Sequence, residues 1–150
     1  MKDTINIREY QIKDKDSVLN LFFLNTPEFF SVEEEKDLVY YLDHEIEYYF
    51  VLEFNNQVVG CGGFNFSGDD TNGKIAWDIV HPGFQGKSFG RKLLDYRIER
   101  MKTFKKLKAI TVRTSQLAYK FYEKSGFQLI EVEENYWAEG FDLYKMGYKQ

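Results

Sequence analysis

The segment His81-Pro82-Gly83-Phe84-Gln85-Gly86-Lys87-Ser88-Phe89-Gly90, with Arg91 and Lys92 after it, concentrates three glycines and three cations. Gly83, Gly86 and Gly90 allow backbone amides to approach a ligand closely. The segment follows an alternating apolar stretch and opens a helical one. Free N–H groups and the helix dipole attract anions at such a point. Lys87, Arg91 and Lys92 add positive charge. This chemistry suits a phosphate or pyrophosphate, although an ordinary tight strand-to-helix turn has the same composition.

Two familiar phosphate motifs are absent. Gly86-Lys87-Ser88 imitates the end of a P-loop, but the first glycine of that motif falls on His81. No G-x-G-x-x-G runs through the loop. Asp69-Asp70 does not open a calcium loop, because the twelfth position from Asp69 is Val80 and not Glu. One cysteine, Cys61, and two histidines, His44 and His81, provide no zinc framework, and no metal is expected. Nothing near Cys61 suggests an activated thiol. His44 and His81 read as helix-end and turn residues, and Glu33-Glu34-Glu35 as a solvated helix face.

The elements that must position these residues follow from periodicity. Ile5 and Ile7 alternate with Asn6 and Arg8, which predicts a strand over about 4–10. Val18, Leu19, Phe22 and Phe23 recur at helical spacing behind Asp14 and Asp16. Ser31 and Glu34 form a capping box for a second helix, to about Leu42. Tyr48–Phe54 and Val58–Phe66 make a hairpin around Asn55-Asn56-Gln57. Lys74–Val80 is a fourth strand, with Ile75, Trp77 and Ile79 on one face and Ala76, Asp78 and Val80 on the other. A helix with Leu94, Ile98 and Met101 follows the glycine loop, then a strand over 109–113. Ser115 starts another helix, carrying Leu117, Ala118, Phe121 and Tyr122, which Gly126 stops. Phe127–Val132 and Phe141–Tyr148 are the last strands. This order predicts an α/β (mixed α+β) fold with helices on both faces of the sheet.

The chain has 150 residues, 43% hydrophobic and 18% aromatic, enough for one domain with a sizeable core. A single domain over 1–150 is expected. The net charge of −4 disfavours nucleic acid and anionic membranes as partners. The N-terminal residues lack an apolar signal core, and no apolar run approaches the roughly 18–20 residues of a span. A cytoplasmic location is the expectation.

Val80-His81-Pro82-Gly83-Phe84-Gln85-Gly86-Lys87-Ser88-Phe89-Gly90-Arg91-Lys92-Leu93-Leu94 resembles the acyl-CoA-binding motif of the GNAT superfamily of N-acyltransferases. That motif reads Gln/Arg-x-x-Gly-x-Gly/Ala after a strand ending in Val-x-Pro. Gln85 and Gly90 match, and Ser88 replaces the middle glycine. The second block of the family is similar to Ser115, Ala118 and Phe121-Tyr122-Glu123-Lys124-Ser125-Gly126-Phe127. The resemblance implies a GNAT-like domain with a mixed, mostly antiparallel six- to seven-stranded sheet. It implies acetyl-CoA as cosubstrate, with Gln85, Gly86, Lys87, Ser88, Phe89, Gly90 and Arg91 around its pyrophosphate and Ser115 in the same cofactor site. Ser88 has a Cβ where the family often has none, so a strained backbone there would cost on the order of 1 kcal/mol.

It further implies an N-acetyltransferase in which a small-molecule or peptide primary amine attacks the thioester directly. Backbone N–H groups near Ile79 and Val80 would bind the thioester carbonyl. Tyr122 would protonate the departing thiolate, although a tyrosine beside Phe121 on an amphipathic helix is also an ordinary core residue. Asp78, or a water, would take the amine proton; a carboxylate paired with a nearby cation is the other reading of Asp78. A second reading of the whole chain is a non-catalytic acyl-CoA sensor or partner module. Asn25–Phe30 and Glu131–Glu139 are expected on the acceptor side. There Glu28, Glu133, Glu134 and Glu139, beside Phe29, Phe30, Tyr136 and Trp137, would favour a cationic amine. The aromatic C-terminal strands offer a surface for a homodimer.

Overall fold

In the strand Tyr48–Phe54, successive side chains point to opposite faces, and both faces are covered. Phe50 and Leu52 join one apolar layer, Tyr49 and Val51 the other. That double burial explains why this strand reads as a continuous apolar run. The computed structural model describes residues 3–84 and 86–149. Its strands are β1 (Ile5–Glu9), β2 (Tyr48–Phe54), β3 (Gln57–Phe66), β4 (Asn72–Val80), β5 (Ala109–Thr114), β6 (Phe127–Ala138) and β7 (Phe141–Tyr148). They form one seven-stranded sheet in the order β1-β2-β3-β4-β5-β7-β6. Among the described residues, only β4 and β5 pair in parallel.

Helices cover both faces, as expected. Helices α1 (Lys15–Leu24) and α2 (Glu35–Tyr40) bring Val18, Leu21, Phe22 and Leu38 onto Val51, Cys61 and Ile79. Helices α3 (Phe89–Met101) and α4 (Tyr119–Lys124) bring Leu93, Leu94, Ile98 and Tyr122 onto Phe50, Leu52, Phe64 and Val112. Each fully buried large apolar side chain contributes about 1.5–3 kcal/mol. Buried Asp14 is held by Arg8 through two contacts of 2.8 Å, which ties the end of β1 to the start of α1.

Two boundaries shift markedly from the sequence expectation. The last helix starts at Tyr119, not Ser115. Ala118 sits at φ −124°, outside helical geometry, and the Ser115 carbonyl accepts from the Ala118 and Tyr119 amides in a preceding turn. Strand β6 runs on to Ala138, because Asn135 turns at φ 55° and its side chain accepts from the Gly140 amide at 2.7 Å. The capping box forms, with Ser31 N–H donating to Glu34 at 2.9 Å. It buries Glu34, so only Glu33 and Glu35 of that acidic run are solvated. Among the described residues, no helix is long and apolar enough to cross a membrane.

Candidate active site

Strict alternation along β4 fails at its centre. Cys61 pairs with Ile79 and Gly63 with Ala76, so Gly62 alone faces both Trp77 and Asp78. This is a β-bulge, and Trp77 adopts φ 48° to form it. Tyr49 donates its hydroxyl to the Trp77 carbonyl at 2.9 Å and pins the bulge from β2. The extra residue changes the faces. Ile75 packs in the layer under α3 and α4, while Ala76, Trp77 and Ile79 pack toward α1 and α2. The expected grouping of Ile75 with Trp77 and Ile79 is therefore wrong, as is that of Ala76 with Asp78 and Val80. The bulge turns Asp78 toward α3 and α4. It also bends β4 away from β5, whose pairing stops at Ile75–Val112.

Asp78 meets two buried partners there. The Arg97 guanidinium donates to one carboxylate oxygen, and the Tyr122 hydroxyl donates to the other. Arg97 is wholly buried and also donates to the Leu93 and Gly63 carbonyls, both at 3.1 Å. The cluster requires glycine on β3: a Cβ at Gly62 would lie 2.3 Å from the Asp78 carboxylate and 2.8 Å from Arg97. Sequence reasoning missed Arg97. The available signal was its place among Leu93, Leu94, Ile98 and Met101 on the buried stripe of α3. Asp78 therefore has a cation partner, and each of its oxygens retains a second acceptor site.

Burial first, and then the Asp78 charge, push the Tyr122 phenol well above its ordinary pKa. It is a neutral hydroxyl over the range in which an enzyme works, available as a proton donor. Tyr49, Tyr41 and Tyr10 shift the same way, chiefly through burial. In each case the folded state holds the proton more tightly than the unfolded chain. Their contribution to stability is complete below the unfolded value of about 10 and declines as pH rises above it. The denaturation midpoint should fall above about pH 10, together with phenolate absorbance appearing on unfolding. A flat midpoint through that window would contradict the burial of these phenols. Burial also pushes the Cys61 thiol up to about 12, consistent with an unactivated thiol.

Two cavities meet at Asp78 and Tyr122. The larger, about 400 Å³, reaches Trp77, Arg113, Thr114 and Trp137. The smaller, about 200 Å³, is lined by Ile79, Val80, Gly90, Ala118 and Phe121. Ser115, Phe29 and Phe30 belong to both. Asn25, buried and not in an open loop, donates to the Leu21 carbonyl at 2.8 Å and the Val80 carbonyl at 3.1 Å. It fixes the aromatic segment over the β4 end. Of the residues expected on the acceptor side, Phe29, Phe30 and Trp137 line the larger cavity. Glu28, Glu133, Glu134 and Glu139 do not; its acids are Glu34, Glu45 and Asp78.

The glycine loop adjoins the smaller cavity through Gly90. Gly86 has φ 86°, and Ser88 precedes α3 in the left-handed conformation, φ 63°. The first helical bond runs from Lys92 N–H to the Ser88 carbonyl at 3.0 Å, so the amides before it point out of the helix start. A Cβ on Gly90 would press Phe121 at 3.3 Å. Lys87 lies 5.6 Å from the centre of the Phe54 ring, and Arg91 pairs with Asp95 at 3.0 Å. The Phe89 side chain is buried in the core, so only its backbone faces the loop. His81 accepts from the Gly83 amide at 2.9 Å, a turn role as expected. Gln85 lies outside the described residues. Among those described, no three His, Cys, Asp or Glu side chains converge as metal ligands.

This fold recurs in known proteins. The family model described as "Acetyltransferase (GNAT) family" matches residues 16–127. The chain belongs to the GNAT acetyltransferase family. It is 28% identical over 127 residues to the amino-acid acetyltransferase of Pseudomonas fluorescens (strain Pf0-1). That match covers 85% of this chain and 28% of the relative, so the chain spans less than a third of that protein's length. The structure of Ard1 from Thermoplasma volcanium superposes with a TM-score of 0.80 at 20% identity, covering 97% of this chain and 99% of the other. N-acetylglutamate synthase from Neisseria gonorrhoeae, solved with coenzyme A and N-acetyl-glutamate, superposes at 0.74 with 19% identity, covering 99% of this chain and 35% of that one.

Proposed function

We propose that the protein is an acetyl-CoA-dependent N-acetyltransferase that acts on a primary amine by direct transfer. The observation that carries this reading is the meeting of the two cavities at Asp78 and Tyr122. One continues toward the glycine loop, and the other opens between the parted strands. Bound acetyl-CoA supplies an activated thioester. The amides of Gly86–Arg91 hold its pyrophosphate at the start of α3. The β5-facing edge of Ala76–Val80 has no strand partner among the described residues, and amides near Ile79 and Val80 receive the thioester carbonyl. As the amine nitrogen bonds to the carbonyl carbon and the carbon–sulfur bond breaks, Tyr122 gives its proton to sulfur. The proton leaving nitrogen passes to Asp78, directly or through water, and Asp78 returns one to the Tyr122 oxygen it already touches. The balance is one amine and one thioester consumed, one amide and one thiol formed.

Two measurements test this together. Coenzyme A should shift the backbone amide resonances of Gly86–Arg91, and its affinity should fall with added salt as screening weakens the charge attraction. Free thiol should be released from acetyl-CoA when an amine panel is supplied. Shifts confined to another part of the molecule would remove the loop from the site. Binding without thiol release across amino acids, polyamines and peptide amines would favour a non-catalytic acyl-CoA module.

A further inference from the structure

We infer that the amine acceptor is a small amino carboxylic acid whose carboxylate is held by Arg113; this rests on the acetyltransferase reading above. Arg113 stands one residue past the point where β4 and β5 part, and it lines the same cavity as Asp78 and Tyr122. Its guanidinium is propped from one side. It donates to the Tyr136 hydroxyl and lies 4.9 Å from the Tyr136 ring centre and 5.5 Å from that of Trp137. Trp137 is itself fixed by donating to the Thr114 carbonyl at 3.0 Å. A planar guanidinium held in this way is preset for the two-oxygen geometry of a carboxylate.

Among the described residues, Arg113 has no carboxylate partner at ion-pair distance, and neither does Lys74, which shares the cavity wall. Lys145 stands directly opposite Arg113 on β7, with Glu131 as its own cross-strand neighbour on β6, so Glu131 answers the Lys145 charge and Arg113 is left to a guest. Two of the three acids in the lining are already engaged, Asp78 by Arg97 and Glu34 by the Ser31 amide. Glu45 is the remaining acid of the lining. A polyamine would carry positive charge toward Arg113 and Lys74. A zwitterion instead presents its amine to Asp78 and Tyr122 and its carboxylate to Arg113. The expectation of a cationic acceptor rested on Glu28, Glu133, Glu134 and Glu139 beside Phe29, Phe30, Tyr136 and Trp137; Phe29, Phe30 and Trp137 line this cavity, and the four glutamates do not.

The test compares a neutral-side-chain amino acid with its carboxamide, using acetyl-CoA and wild-type, Arg113→Gln and Arg113→Lys proteins. Wild type should prefer the acid in kcat/KM by roughly 10- to 100-fold, mostly through KM, because a charge-assisted contact is lost with the amide. Arg113→Gln should abolish that preference, and Arg113→Lys should restore part of it. A second readout needs no turnover: Trp77 and Trp137 both line the cavity, so their fluorescence should report saturable binding of the acid to CoA-loaded protein. Equal or better use of the amide or of polyamines, or a preference that survives Arg113→Gln, overturns the assignment while leaving the acetyltransferase reading intact. If no amine is turned over, the acetyltransferase reading fails, and the fluorescence titration decides the carboxylate site by itself.

Discussion

Tyr122→Phe should lower kcat by roughly 10²–10⁴-fold while changing coenzyme A affinity far less. The substitution removes one oxygen and leaves the ring. Its packing against Phe121, at 5.0 Å between ring centres, and Phe127, at 5.6 Å, is retained, so the fold should persist. What is lost is the hydroxyl proton that Tyr122 donates to the Asp78 carboxylate where the two cavities meet. The thiolate must then depart unprotonated or draw on water. Asp78→Asn should also slow turnover, since an amide cannot return a proton to the phenol. Pre-steady-state kinetics separates the chemical step from product release. An unchanged kcat for Tyr122→Phe, with chemistry shown to be rate-limiting, would remove the residue from the mechanism.

Arg97→Met should destabilise the protein by about 3–5 kcal/mol, the cost of leaving a buried charge without its partner. That is a large part of the roughly 5–15 kcal/mol that holds a domain folded. Methionine fills much of the space, so the cost is electrostatic more than steric. Asp78 loses its cation, and the carbonyls of Leu93 and Gly63 lose donors. Adding Asp78→Asn should recover part of the loss, because the neutral amide no longer needs a counter-charge. The coupling between the two sites in a double-mutant cycle measures the pair directly. A loss below about 1 kcal/mol in urea unfolding would mean that solvation by water, and not Arg97, stabilises the Asp78 charge.

Much of this was legible in the chain because the signals are local. The alternation of β1, the apolar run of β2, the turn at Asn55-Asn56 and the stripe of α3 are each carried by a few neighbouring residues. The glycine loop declares itself the same way: its glycines and cations are adjacent in sequence, while the left-handed backbone at Gly86 and Ser88 is seen only in the structure. Tyr122 was legible as part of a block of adjacent residues. The arrangement of the site was not, because it depends on register. Nothing in Lys74–Val80 announces that Trp77 takes an extra place, since a bulge depends on which residues of β3 lie opposite, more than ten positions away in sequence. That one insertion reverses the faces of β4, delivers Asp78 to Arg97 and Tyr122, and parts β4 from β5. The acidic and aromatic residues near the C-terminus show the same division. Their composition suggested a cationic guest, but only the packing of β6 and β7 decides that Trp137 and Tyr136 prop Arg113 while the glutamates face elsewhere. Propensity acts over a few residues, and strand pairing brings together residues far apart in sequence; the first sets the elements here, and the second makes the site.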